Sequence, residues 1–77
     1  MFELNLIPHK MKYVGLTNNP DIIKRKHGQP MDWWQRVFAS ELEANKWLKV
    51  LIKMYGYKEV GETKGWKYGY TFSNNPN

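Results

Sequence analysis

Residues 12–28, KYVGLTNNPDIIKRKHG, contain the sharpest change of local pattern in the chain. The first six of them, KYVGLT, are rich in β-branched and aromatic residues, which favours a strand. Asn19 is a good helix cap, Pro20 suits the first helical position, and Asp21 complements the positive end of a helix. Gly28 can adopt the left-handed conformation that ends a helix. The stretch therefore predicts a strand, a polar turn and a short helix that runs to His27.

A second and longer helix is predicted after Ser40. Glu43 follows Ser40 by three residues, which is the spacing of a capping box. Gly56 marks the end of this helix, and apolar side chains recur at helical spacing between the two signals at Ala44, Trp47, Leu48, Leu51, Ile52 and Tyr55. Between the two helices the sequence predicts a loop at 29–32 and a strand at 33–38, WWQRVF.

Both ends of the chain also carry strand patterns. Phe2–Ile7 alternates apolar and polar residues, and its short distance from the strand at 12–17 favours an antiparallel hairpin. Residues 57–60 and 66–72 predict a closing pair of strands joined by the turn GETKG. Within 66–72 the aromatic residues share one parity, which predicts one helix-covered face and leaves Gly69 on the outer face.

These elements together predict a single α+β domain over residues 1–73. Its sheet is small and mostly antiparallel, it carries two helices, and the element order is ββαβαββ. The polar residues 74–77 are expected to form a flexible tail.

The 77 residues include 12 Lys and Arg against 7 Asp and Glu, which gives a formal charge of +5. This excess favours an acidic partner, and nucleic acid is the commonest. Only two of the basic residues are arginines, Arg25 and Arg36. Because the guanidinium fork is what reads guanine, contact with phosphates is more expected than sequence-specific reading of bases.

The composition also excludes several kinds of site. The chain has no cysteine, so disulfides and thiolate zinc sites are ruled out. No apolar run approaches the ~18 residues of a membrane span, and the first ten residues lack the basic start and apolar block of a secretory signal. His9 and His27 do not stand at metal-ligand spacing from acidic residues. We therefore expect a cytoplasmic protein with no metal, no cofactor and no membrane partner.

One stretch resembles a known family. The strand Tyr13-Val14-Gly15, the polar turn Thr17-Asn18 and a short helix ending in His27 resemble the second half of the signature of the GIY-YIG nuclease domain. The helix from Ser40 to Ile52 is similar to the later helix of that family. The resemblance covers roughly residues 2–56 and implies a GIY-YIG-like scaffold.

The resemblance also implies roles for single residues. In that family a tyrosine acts near the scissile phosphate, an arginine stabilises the developing charge, and a glutamate holds a divalent metal. Tyr13 and His27 match family positions, but the arginine position falls on Ile23 and the glutamate position on Leu48. The resemblance therefore implies a non-catalytic domain in which Ile23 and Leu48 meet and fill the cleft beside Tyr13. A residual nuclease with a rearranged site is a weaker alternative.

The candidate function is then binding of nucleic acid, with DNA favoured. The candidate contact residues are basic or aromatic: Lys10, Lys12, Tyr13, Lys24, Arg25, Lys26, His27 and Trp33. The lysines at 10 and 12 would join those of the first helix in one basic face, although a merely solvated helix face is the other interpretation. Trp33 and Trp34 point to opposite sides of a strand, so one of them can be exposed for stacking.

An alternative function belongs to another class. A compact domain with an exposed tryptophan also fits a protein-interaction module, such as a small regulator or inhibitor from a phage or other mobile element. The sequence does not decide between the two classes.

Overall fold

The computed structural model describes residues 11–61 and 64–74, and this part of the chain contains two helices and a four-stranded mixed sheet. The elements are β1 (Met11–Thr17), α1 (Pro20–Lys26), β2 (Trp34–Val37), α2 (Glu41–Tyr55), β3 (Lys58–Glu59) and β4 (Tyr68–Asn74). The α+β class predicted from the sequence is confirmed. The strand predicted at 2–7, and with it the N-terminal hairpin, lies outside the described residues. Neither described helix has the length and apolar character that crossing a bilayer requires.

α1 is present where the sequence predicts it, but its first turn is fixed differently. Pro20 occupies the first helical position and Asn19 the cap position, yet the Asn19 side chain makes no capping hydrogen bond. Its backbone N–H donates instead to Oγ1 of Thr17, at 3.0 Å. Beyond the helix, Gly28 adopts a φ of 79°, the left-handed conformation that its type favours.

α2 follows its sequence signals at both ends. The N–H of Glu43 donates to Oγ of Ser40 at 3.1 Å, which is the first half of the predicted capping box. The Glu43 carboxylate accepts from the N–H of Ala39 at 3.3 Å, one residue before the cap. At the other end Gly56 has a φ of 73° and its N–H donates to the carbonyl of Leu51.

The strand order is β2-β4-β1-β3, in which β4 is antiparallel to both β1 and β2, and β3 is parallel to β1. The predicted closing hairpin of 57–60 with 66–72 is therefore wrong, because β3 and β4 lie on opposite sides of β1. Strand β4 suits the centre, since its Tyr70 and Phe72 are buried, whereas β3 consists of two exposed polar residues and suits an edge.

β4 has 7 residues, as many as the predicted strand 66–72, but it begins and ends two residues later. Ser73 pairs with Lys12 and Asn74 pairs with Met11, so the strand continues one residue into the segment expected to be a tail. The rest of that segment, 75–77, lies outside the described residues.

Asn18, in the polar turn after β1, connects this turn to the start of β4. Its N–H donates to the carbonyl of Lys64 at 2.9 Å. Its Oδ1 accepts from the N–H groups of Trp66 and Lys67, each at 3.3 Å. These bonds pair backbone groups that precede the strand ladder and would otherwise need water.

Each face of the sheet carries one apolar cluster. On one face, which we call face A, α1 contributes Ile23, and the cluster is Ile23, Val60, Tyr70 and Phe72 with Tyr13 and Trp33 packed against it. On the other, face B, α2 contributes Ala44, and the cluster is Leu16, Phe38 and Ala44 with Trp47, Leu48 and Trp66. The two helices therefore cover opposite faces.

Gly69 allows α2 to pack closely on face B. It is buried rather than on an open outer face, so that prediction is wrong. A Cβ at this position would lie 2.5 Å from a ring atom of Trp47 and 2.6 Å from one of Phe38. Trp66 also belongs to the face B cluster and does not continue the row of Tyr70 and Phe72, since it precedes the strand.

We expect Gly69→Ala to lower the free energy of unfolding by about 1–3 kcal/mol, because the added methyl overpacks two aromatic rings. Each kcal/mol corresponds to about 4–8 °C of Tm for a domain of this size, which thermal melting resolves. Gly61→Ala is the matched control, because a Cβ at Gly61 meets nothing within 4 Å. Equal Tm values for the two variants would contradict the packing described for α2.

Candidate functional site

Three of the residues nominated from the sequence meet around Phe72 on face A. The ring centroids of Tyr13, His27 and Trp33 lie 5.3, 4.7 and 5.7 Å from that of Phe72. Trp33 also stacks on Tyr70, at 4.8 Å with an angle of 9° between the rings. Because these side chains come from β1, the end of α1, the loop before β2 and β4, only the tertiary structure assembles them.

An open cleft lies beside this aromatic cluster. It has a volume of about 510 Å³ and is lined by Tyr13, His27, Pro30, Glu59, Val60, Gly61, Phe72 and Ser73. That volume is within the range of about 300–1,000 Å³ that is typical of small-molecule sites. The space beside Tyr13 is therefore open, whereas the sequence predicts a filled cleft.

The sheet register determines which groups enter the cleft. Tyr13 and Phe72 are register partners, and Val60 packs in the same face A cluster. Side chains alternate along a strand, so those of Glu59 and Ser73 are directed to face B. Glu59 therefore lines the cleft through its backbone, whereas the N–H of Ser73 donates to Oδ1 of Asp32 at 3.1 Å.

His27 contains an unusual polar atom. Its Nε2 is buried and has no hydrogen-bond partner among the described residues. The ring is positioned by its contact with Phe72 and by the backbone, where the N–H of His27 donates to the carbonyl of Ile23 at 3.1 Å. An unpaired buried nitrogen destabilises the fold by about 1–3 kcal/mol, so such a group requires an explanation outside folding.

Cationic residues neighbour two lining residues of the cleft, one along the chain and one across the sheet, while Lys24 and Arg25 line a separate pocket with Asp21 and Gln29. The last turn of α1 is Lys24, Arg25 and Lys26, directly before His27. The register of β3 places the exposed Lys58 beside Tyr13, on face A. Lys58 is not among the candidate contact residues predicted from the sequence, because its position depends on a parallel pairing with β1 that no local sequence pattern predicts.

The structure does not bring Lys12 to face A. Its ammonium nitrogen lies 5.9 Å from the centre of the Tyr57 ring. Lys12 neighbours Tyr13 along β1, so its side chain is directed to face B. One basic face shared by Lys12 and α1 is therefore not formed, and Lys10 lies outside the described residues.

The two adjacent tryptophans differ in exposure. Trp33 is half-buried in the face A stack, and its Nε1–H donates to Oε1 of Gln35 at 2.7 Å. Trp34 is 48 % exposed and lies 6.1 Å from the ring of Trp47. Trp33 therefore supports the aromatic cluster, and Trp34 is the tryptophan with the larger free surface.

The expected contact between Ile23 and Leu48 is wrong. Ile23 is 9 % exposed and packs in the face A cluster, while Leu48 packs on face B. The sheet separates the two side chains, since α1 and α2 cover opposite faces. Spacing along each helix predicts an apolar stripe but not the face of the sheet that the stripe covers.

Across residues 11–61 and 64–74, no three His, Asp or Glu side chains lie close enough to hold a metal ion. No protein-family model matches the chain, and no curated protein or solved structure matches it. The GIY-YIG resemblance therefore stays an expectation based on sequence motifs.

We expect the destabilising effects of Ile23→Arg and Leu48→Glu to add within about 0.5 kcal/mol, because the two sites share no neighbours across the sheet. Chemical denaturation of the wild type, both single variants and the double variant measures this coupling. A double variant more stable than the sum of the singles would show that the introduced charges pair, and would contradict the separation of the two clusters.

Proposed function

We propose that the chain is a small, non-catalytic nucleic-acid-binding module of the cytoplasm that holds phosphate groups weakly, with DNA as its favoured partner. The observation that carries the proposal is an open aromatic cleft with cations next to two of its lining residues, since Lys26 directly precedes His27 and Lys58 pairs with Tyr13 in the sheet. Phosphate neutralisation supplies most of the affinity in weak binding to nucleic acids. The charge of +5 adds long-range attraction.

The distribution of arginines favours phosphate contact over base-specific reading. Arg25 lies in the last turn of α1, two residues before His27, and lines a pocket with Asp21, Lys24 and Gln29. The guanidinium of Arg36 lies 4.5 Å from the centre of the Phe38 ring. Phe38 belongs to face B. A single guanidinium fork beside several ammonium groups suits phosphates, which any sequence presents.

We expect binding to duplex DNA to weaken as salt rises, with a slope of log affinity against log salt of about −3, because three to four phosphates would be neutralised. Lys24→Glu with Lys26→Glu should weaken binding to all sequences alike and make the slope shallower. Fluorescence anisotropy of labelled duplexes measures both effects.

The control for net charge is a second charge reversal, at two lysines of α2, the helix that covers face B. Lys46→Glu with Lys49→Glu changes the net charge equally, and both lysines are exposed on α2. Their variant should bind almost as the wild type does. Equal losses in the two variants would mean that net charge rather than face A binds DNA, and no binding at low salt would contradict the proposal.

The non-catalytic part of the proposal is supported by Ile23, which occupies the arginine position of the resemblance and is buried under the aromatic cluster. We expect no nicking of supercoiled plasmid in magnesium or manganese. Electrophoresis of the plasmid after incubation is the measurement. Nicking that Tyr13→Phe abolishes would show that the cleft is a nuclease site.

A second candidate function is protein interaction, by a small regulator or inhibitor of the kind carried by phages and other mobile elements. β2 forms one edge of the described sheet, and all four of its residues are exposed. Two of them are apolar, with Trp34 48 % and Val37 56 % exposed. Exposed strand edges can pair with a strand of another protein. A tryptophan fluorescence change with a protein partner but not with DNA would favour this function.

A further inference from the structure

Phosphate contact alone does not explain the cleft on face A. We propose that this cleft binds one unpaired nucleobase of a single strand, while Lys58 and the cations of α1 hold the neighbouring phosphates. This inference rests on the proposed function and adds the class of nucleic acid that the site prefers.

The residues that line the cleft suit a base better than a phosphate. Among the described residues that line the cleft, none is a lysine or an arginine. The rings of Tyr13 and His27 flank the buried ring of Phe72, and both are partly exposed. Such a surface offers stacking, which every base accepts through its π-face. It offers no charge for a phosphate, so the phosphates belong with the cations outside.

The rim of the cleft offers hydrogen bonds for the edge of a base. The N–H of Val60 donates to the carbonyl of Val14 at 2.9 Å. Backbone groups alternate in direction along a strand, so the N–H and C=O of Glu59 point away from β1. No described strand lies beyond β3, and Glu59 is part of the lining. Within the described part of the chain no strand pairs with these two groups, and a donor beside an acceptor matches the mixed edge of a base.

His27 gives an independent reason to expect a ligand here. Its Nε2 is buried without a partner among the described residues, although the ring is in the wall of the cleft. A base that stacks on the wall brings polar atoms next to this ring, and a small rotation of the imidazole would pair the nitrogen. The free-energy cost of burying Nε2 without a hydrogen bond would then be removed when the base binds.

A duplex cannot use the cleft in this way. Its bases are paired and stacked, and extruding one of them is unfavourable by a few kcal/mol. Duplex DNA would therefore contact only the outer cations of α1 and Lys58. Stacking of one base on an aromatic side chain strengthens binding by about 5- to 150-fold, so a single strand should bind more tightly than a duplex by a factor in this range.

The experiment compares ligands first, since this leaves the protein unchanged. A labelled short oligodeoxynucleotide, the same strand with abasic sites throughout, and its duplex are titrated at low salt by fluorescence anisotropy. The abasic strand keeps the phosphates and loses the rings. We expect it to bind about 5- to 150-fold more weakly than the normal strand.

Paired variants then locate the base. Tyr13→Leu keeps an apolar side chain in the face A cluster but removes the ring, and should lose the preference for the single strand while retaining duplex binding. Tyr13→Phe should retain the preference. Tyr57→Leu is the control, because Tyr57 is partly buried like Tyr13 but contacts Lys12 on face B, and it should change nothing.

The outcomes distinguish this inference from the proposed function. Equal affinity for the normal and the abasic strand would overturn the base site, and phosphate-directed binding would stand. A free mononucleotide that competes as well as the oligonucleotide would overturn the single strand as the occupant. No binding of any of these ligands would overturn the proposed function, and the base site with it.

Discussion

The position of β4 between β1 and β2 is the constraint on which the rest of the structure depends. Its register with β1 runs without interruption from Met11↔Asn74 to Thr17↔Tyr68. This pairing places Tyr70 and Phe72 on face A and Gly69 on face B. One strand near the end of the chain therefore provides the aromatic floor for α1 and the close approach for α2.

The candidate site is a consequence of that placement. Phe72 is the ring that Tyr13, His27 and Trp33 all contact, and each of them comes from a different part of the chain. The side-chain Oδ1 of Asn18, which accepts from the N–H groups of Trp66 and Lys67, fixes the point at which β4 begins. A shift of one residue in β4 would move its aromatic side chains to the other face and remove the cleft wall.

The two faces of the sheet have different chemistry. Face A carries the open aromatic cleft, and Lys58 lies on the same face beside Tyr13. On face B, Lys12 lies over an aromatic ring, and Trp34 and Trp47 stack on each other. The two proposed functions therefore use different surfaces: nucleic acid would bind face A, and a protein would pair with the β2 edge.

The sequence by itself determined what depends on neighbouring residues. Pro20 and the Ser40 cap start the helices where local hydrogen bonding and fixed backbone angles favour them, and Gly56 ends α2 through its left-handed conformation. It also nominated Tyr13 and His27, although from motifs and not from contacts.

Only the tertiary structure decided the order of the strands and the face that each helix covers. Lys58 is the register partner of Tyr13 through a parallel pairing with β1, and Ile23 and Leu48 are separated because their helices pack on opposite faces. Residue types and spacings indicate which positions are apolar and where a helix ends. They do not indicate which distant strands pair with each other, because strand pairing depends on the burial of both faces of the sheet at once.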